Sequence, residues 1–142
     1  MKVLFLDIDG VLNKASDYEV IVGGNYSLLR VNQCLTERLK KVLNNTGAKV
    51  VLSSSWRLLK GGREFVEECG IPVMDVTDNG PGKRGDMIKR WLDSHDVVTY
   101  AIVDDDSDML VEQLPHFVLT EFVTGLTEQA AYRLTYKLGG KV

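Results

Sequence analysis

The chain predicts an α/β fold of three layers, with helices on both faces of a parallel five-stranded sheet. Two observations carry that prediction. Short apolar runs alternate along the whole chain with segments of helical period. Acids, hydroxyls and cations follow those runs, and ligands of an open α/β sheet gather at the carboxyl ends of its strands.

Val3–Leu6 is a continuous apolar run, which suits a strand buried on both faces. Glu19–Val22 and Tyr26–Leu29 flank Gly23-Gly24-Asn25 and read as a small hairpin. Asn32 to Asn45 reads as a helix with Leu35, Leu39, Val42 and Leu43 on one face, ended by Gly47. Lys49–Leu52 is a second strand, Glu64–Cys69 a short helix stopped by Gly70, and Ile71–Val76 a third strand. Arg84–Asp93 is a helix burying Ile88, Trp91 and Leu92. Tyr100–Val103 is the fourth strand, Met109–Leu114 a short helix and Phe117–Thr120 the fifth strand. Thr127 caps a last helix that buries Ala130, Ala131, Leu134 and Leu138. No repeat or linker-like run interrupts this order, so residues 1–142 read as one domain.

Bulk properties exclude several classes. At 142 residues and 44% hydrophobic content the chain can bury a proper core. No apolar stretch reaches membrane-spanning length, and one lysine followed by a strand does not read as a secretory leader. Cys34 and Cys69 lack metal-site spacing and read as reduced thiols of a cytoplasmic protein. A net charge of −3 supplies no global field for nucleic acid and leaves room only for a local basic patch.

The chemistry lies at the strand ends. Asp7 and Asp9 follow the first run, Ser53, Ser54 and Ser55 the second, and Asp104, Asp105, Asp106 and Asp108 the fourth, while Lys83 and Arg84 open a helix. Two like charges about 4 Å apart repel by roughly 4 kcal/mol at an effective dielectric near 20. Crowded carboxylates therefore call for a cation, and an all-oxygen set suits Mg2+. A serine hydroxyl and a basic side chain beside it suit phosphoryl transfer, which depends on positioning and charge neutralisation.

In this order, Asp7-Ile8-Asp9-Gly10-Val11, Val51-Leu52-Ser53, Lys83/Arg84 and Val103-Asp104-Asp105-x-x-Asp108 resemble the four motifs of the haloacid dehalogenase (HAD) superfamily. Ser53-Ser54-Ser55-Trp56-Arg57, Arg84-Gly85-Asp86 and the later Gly125-Leu126-Thr127 resemble one branch, the HAD domains of Swiss-army-knife RNA-repair proteins, often phage or bacterial. The resemblance implies an aspartyl-phosphate mechanism with Asp7 as nucleophile and Asp9 as general acid and base. It implies that Ser53, with Ser54, binds the transferring phosphoryl group, and that Lys83 or Arg84 is the third-motif cation. The wider superfamily favours Lys83 and the branch favours Arg84. It implies Mg2+ held by Asp7, Asp9 through its carbonyl, and Asp104, with Asp105 and Asp108 as direct, water-mediated or loop-orienting partners. Gly10 permits the sharp turn beyond the acids.

HAD phosphatases often carry a cap domain. Here Asn13 to Asn32 leaves room only for a hairpin, and Leu58 to Gly82 only for one helix and one strand. A capless core with an open site is expected, able to admit a large substrate such as a polynucleotide end or a phosphoprotein. Arg57, Lys60, Arg63, Lys83 and Arg84 would form a basic rim, and Trp56 beside Arg57 would either stack on a base or pack in the core. The rival readings are a small-molecule phosphatase of the same fold, a phospho-acceptor domain, a metal-dependent glycosyltransferase and a non-catalytic domain of a repair or phage assembly.

Overall fold

The computed structural model describes residues 1–18 and 30–141. The hairpin expected within residues 19–29 lies outside them. The strands are β1 (Lys2–Leu6), β2 (Lys49–Leu52), β3 (Val73–Val76), β4 (Thr99–Asp104) and β5 (Phe117–Leu119), and the helices are α1 (Gln33–Thr46), α2 (Gly62–Glu68), α3 (Arg84–Asp93) and α4 (Glu128–Lys137). The sheet is parallel throughout, in the order β3-β2-β1-β4-β5.

Alternation along the strands divides the core in two. Leu4 and Leu6 pack with Leu39 and Val42 of α1, Val66 of α2 and Leu134 of α4 on one face. Val3 and Phe5 pack with Ile88 and Trp91 of α3 and with Met109 on the other. The sheet is thus covered on both sides, which explains why its central strands are continuously apolar over Val3–Leu6, Val50–Leu52 and Ala101–Val103. No helix among the described residues is long and apolar enough to cross a membrane.

Local chemistry sets the ends. Asn32 caps α1 by accepting the N–H groups of Cys34 and Leu35, and Gly47 closes it in the left-handed conformation. Thr127 caps α4 through the N–H of Ala130. β3 starts at Val73, not Ile71, because Pro72 has no N–H to give the ladder. The helix expected at Met109–Leu114 is a 3-10 turn at Val111–His116; Pro115 cannot continue an α-helix, and Met109 goes into the core. Two further 3-10 turns, Ala15–Tyr18 and Ser55–Leu58, were not expected from sequence.

Successive strands run outward from β1 to β3, and the chain then returns through α3 to β4 on the far side of β1. The order therefore reverses between β1 and β4, the point where an open α/β sheet opens a crevice at its carboxyl edge. Asp7 follows one of these strands and Asp104 ends the other.

Candidate active site

The parallel ladder continues one residue past the strands. Asp7 N–H donates to Val103 O (3.1 Å), Ser53 N–H to Leu6 O (3.0 Å) and Thr77 N–H to Leu52 O (3.1 Å). Asp7 follows Phe5 in the alternation, Ser53 follows Val51 and Asp104 follows Ile102, so all three belong to the face covered by α3. Arg84, the first residue of α3, reaches the two carboxylates: its Nη1 lies 2.6 Å from Asp104 Oδ2 and 3.2 Å from Asp7 Oδ1.

Two close approaches assemble this end. Gly10 has a φ of +79°, and a Cβ there would collide with the Asp105 carboxylate, so only glycine lets the turn after β1 lie against the loop after β4. A Cβ on Gly85 would meet Gln113 Oε1 and Leu110 N, both at 2.7 Å, so the first turn of α3 also abuts that loop.

Asp7, Asp104 and Asp105 each offer an oxygen within 4.8 Å of the other two. Asp7 is 4% exposed and Asp104 is fully buried. Burial, followed by the charge of Asp104, pushes the Asp7 carboxyl up to about 9, although Arg84 pulls the other way. Burial raises Asp105 as well. Burial alone would lower Arg84, but Asp104 and Asp7 outweigh it and hold the guanidinium charged. One arginine thus pairs with Asp7 and Asp104 in a cluster of three carboxylates, which is short of positive charge. A hard divalent cation fits such an all-oxygen set.

Asp9 stands apart from the cluster. Its Oδ1 accepts from Asn13 Nδ2 (2.9 Å), Tyr18 Oη (2.8 Å) and Trp56 Nε1 (3.2 Å), and Trp56 Nε1 also lies 3.2 Å from Oδ2. Burial, reinforced by the hydrogen bond to Asp9, raises the Tyr18 hydroxyl above the ordinary tyrosine value and keeps it a donor. Sequence reading missed Asn13 and Tyr18. The first had a signal: an asparagine three residues beyond a glycine in a turn, where its side chain accepts the Gly10 N–H at 2.9 Å.

Several expected site residues do other work. Trp56 is 1% exposed and T-stacked on Phe65, so it cannot be a platform for a base. Arg57 donates to the carbonyls of Ser53, Ser54, Thr77 and Asp78, clamping the loops after β2 and β3 instead of reaching outward to substrate. Arg63 is held by Glu67 and the Val73 carbonyl, which leaves exposed Lys60 and Lys83 of the expected rim. Lys83 caps α3 and lies outside the Asp7–Asp104 pairing. Asp108 is exposed and outside the acidic cluster; its carbonyl takes the N–H of Gly85. The backbone of Gly10, which the sequence reading also counted among the substrate-binding residues, gives its N–H to Asn13 and its carbonyl accepts from Thr120 Oγ1 (2.6 Å). Ser54 Oγ accepts the Trp56 N–H and opens the 3-10 turn.

Ser53 Oγ and Thr77 Oγ1 are buried without a hydrogen-bond partner among the described residues. Buried hydroxyls are ordinarily paired, so two orphans following adjacent strands mark a place where a polar group is missing. Thr77 was also missed, although it follows its strand as Ser53 follows the second.

No match was found among curated proteins. Residues 3–131 match the family described as HAD domain in Swiss Army Knife RNA repair proteins. That span holds all four acid, hydroxyl and cation segments and every strand of the sheet, and the chain belongs to this family of HAD domains.

Proposed function

We propose that the chain is a Mg2+-dependent phosphomonoester hydrolase that works through an aspartyl-phosphate. The observation that carries this reading is the convergence of Asp7, Asp104, Asp105 and Arg84 at the reversal point of the sheet. In the first half-reaction an Asp7 carboxylate oxygen attacks phosphorus, the bond from phosphorus to the leaving oxygen breaks, and Asp9 gives that oxygen its proton. In the second, Asp9 takes a proton from water, the water oxygen attacks phosphorus, and the bond to Asp7 breaks to release inorganic phosphate. Arg84 balances charge on Asp7 and on the phosphoryl oxygens, and the uncommitted hydroxyl of Ser53 is a donor for the same oxygens. Asp7, Asp104 and Asp105 would hold Mg2+, which supplies charge neutralisation at the transferring phosphoryl group. Lys83 and Asp108 have no part in this scheme.

The preferred substrate is a phosphorylated nucleic-acid or nucleotide end. The family's association with RNA repair supports it, as does a site with no inserted cap domain among the described residues. The test is hydrolysis of p-nitrophenyl phosphate, then of 5′- and 3′-phosphorylated oligonucleotides, mononucleotides and sugar phosphates. Turnover should require Mg2+, stop with chelator and vanish in Asp7→Asn. Equal turnover by the wild type and Asp7→Asn sinks the nucleophile. Faster turnover of sugar phosphates than of any oligonucleotide sinks the substrate class.

A further inference from the structure

We infer that Trp56 and Tyr18 are positioning residues that fix the Asp9 carboxylate and leave its Oδ2 as the oxygen facing the leaving group. This inference rests on the phosphatase reading above and adds to it which atom of Asp9 works and what holds it there. The donors on Asp9 are unevenly shared. Oδ1 receives Asn13 and Tyr18 and shares the Trp56 N–H with Oδ2, 3.2 Å from each, so that among the described residues Oδ2 receives only its share of that one donor. A carboxylate oxygen has two lone pairs, so Asn13 and Tyr18 fill Oδ1 and Oδ2 keeps an open position.

The donors are themselves held. The Trp56 indole is 1% exposed, with its ring edge-on to Phe65 at 5.9 Å. An indole N–H can only donate, so Trp56 orients the carboxylate without competing for its proton. The Tyr18 ring contacts that of Phe122, with centroids 5.7 Å apart, and the Arg30 guanidinium, 5.0 Å from its centroid. Trp56 also belongs to the turn capped by Ser54, directly after Ser53. The segment offering a hydroxyl to the phosphoryl group therefore also sets the angle of the acid, and the two sides of the scissile bond are aligned by one short piece of chain.

Positioning of an acid differs from general structural support in its dependence on the leaving group. An alcohol must be protonated as it departs; p-nitrophenolate need not be. The experiment compares an alkyl phosphate with p-nitrophenyl phosphate in wild type, Tyr18→Phe and Trp56→Phe, all with Mg2+. Tyr18→Phe removes one oxygen and keeps the ring, so it remains informative even if Trp56→Phe fails to fold. In each folded variant kcat/KM, which reports the first half-reaction alone, should fall about 10- to 100-fold on the alkyl phosphate, within the usual contribution of general acid catalysis. On p-nitrophenyl phosphate kcat/KM should fall less than about threefold. Equal losses on the two substrates, or no loss on either, overturn the inference while leaving the phosphatase reading intact. A wild type inert on both substrates overturns the phosphatase reading and this inference with it. A second readout needs no turnover: the Trp56 indole proton resonance should move in Asp9→Asn, and an indole proton indifferent to Asp9→Asn sinks the contact.

Discussion

Asp7 and Asp9 are two residues apart and have opposite kinds of neighbour. Asp7 lies under the sheet edge with two more carboxylates and a single arginine. Asp9 lies beyond the strand, where an amide, a phenol and an indole surround it. The first is governed by net charge. The second is governed by hydrogen-bond geometry. When two acids share a motif and one is to attack while the other moves protons, distinct surroundings are what let them do so at one pH.

This contrast can be broken experimentally. The largest effect should come from Arg84→Met. Arg84 is 23% exposed and compensates buried carboxylates, so its loss without divalent cation should cost about 3–5 kcal/mol in urea unfolding. Mg2+ should restore much of that, because it supplies the missing charge; a variant as stable as the wild type in chelator would show that the acids need no counter-charge. Next, Mg2+ at a hundredfold excess over its dissociation constant should stabilise the wild type by about 2.7 kcal/mol. Asp104→Asn should lose most of that gain, and Asp9→Asn should keep it. A shift in melting temperature identical in both variants would erase the distinction between the two surroundings.

The pH dependence sharpens the same point. In the folded chain the Asp7 carboxyl sits at about 9 against an ordinary 3.8. Between those values the native state holds a proton that the unfolded chain has released. The stability this contributes is complete below 3.8 and is lost as pH rises through about 9. Unfolding free energy measured in chelator should therefore fall across that window. Asp7→Asn should flatten the slope and Asp9→Asn should leave it in place; a slope untouched by Asp7→Asn assigns it to another group. The smallest effect belongs to the rim of the Asp9 surroundings. Phe122→Ala should cost about 0.5–1.5 kcal/mol through its contact with the Tyr18 ring, without altering the Mg2+ response.

Much of the acidic half of this contrast was legible in the chain. Continuous apolar runs have one reading in a sheet covered on both faces, so β1, β2 and β4 and the acids and serine that follow them could be placed. The bounds of α3 were legible too, because its apolar face repeats at helical spacing between Lys83 and Ser94. The choice between Lys83 and Arg84 was not. A helix start at Arg84 does not by itself say which of the two side chains turns toward the acids, and Arg84 is the one directed at Asp7 and Asp104. The Asp9 surroundings were almost invisible. Trp56 is 47 residues from Asp9, and nothing in a Ser-Trp-Arg string tells whether the indole faces water or the core. Tyr18 sits in a 3-10 turn, which has no amphipathic period to read. The place of Asp108 outside the acidic cluster was hidden for the complementary reason: an acid string fixes composition, while the Asp106 backbone and side chain are tied into the turn that separates Asp104 from Asp108.

Gln113 lies fully inside the protein, donating to the Gly85 carbonyl and accepting the Leu110 N–H, while Gly85 N–H reaches the Asp108 carbonyl. These three bonds rivet the start of α3 to the stretch between β4 and β5. A load on the Arg84 guanidinium is consequently transmitted to the segment bearing Asp104 and Asp105, and the two must loosen as one mechanical piece. Deuterium uptake at the amides of Gly85 and Leu110 should then proceed in step, and replacing Gln113 by leucine should uncouple them.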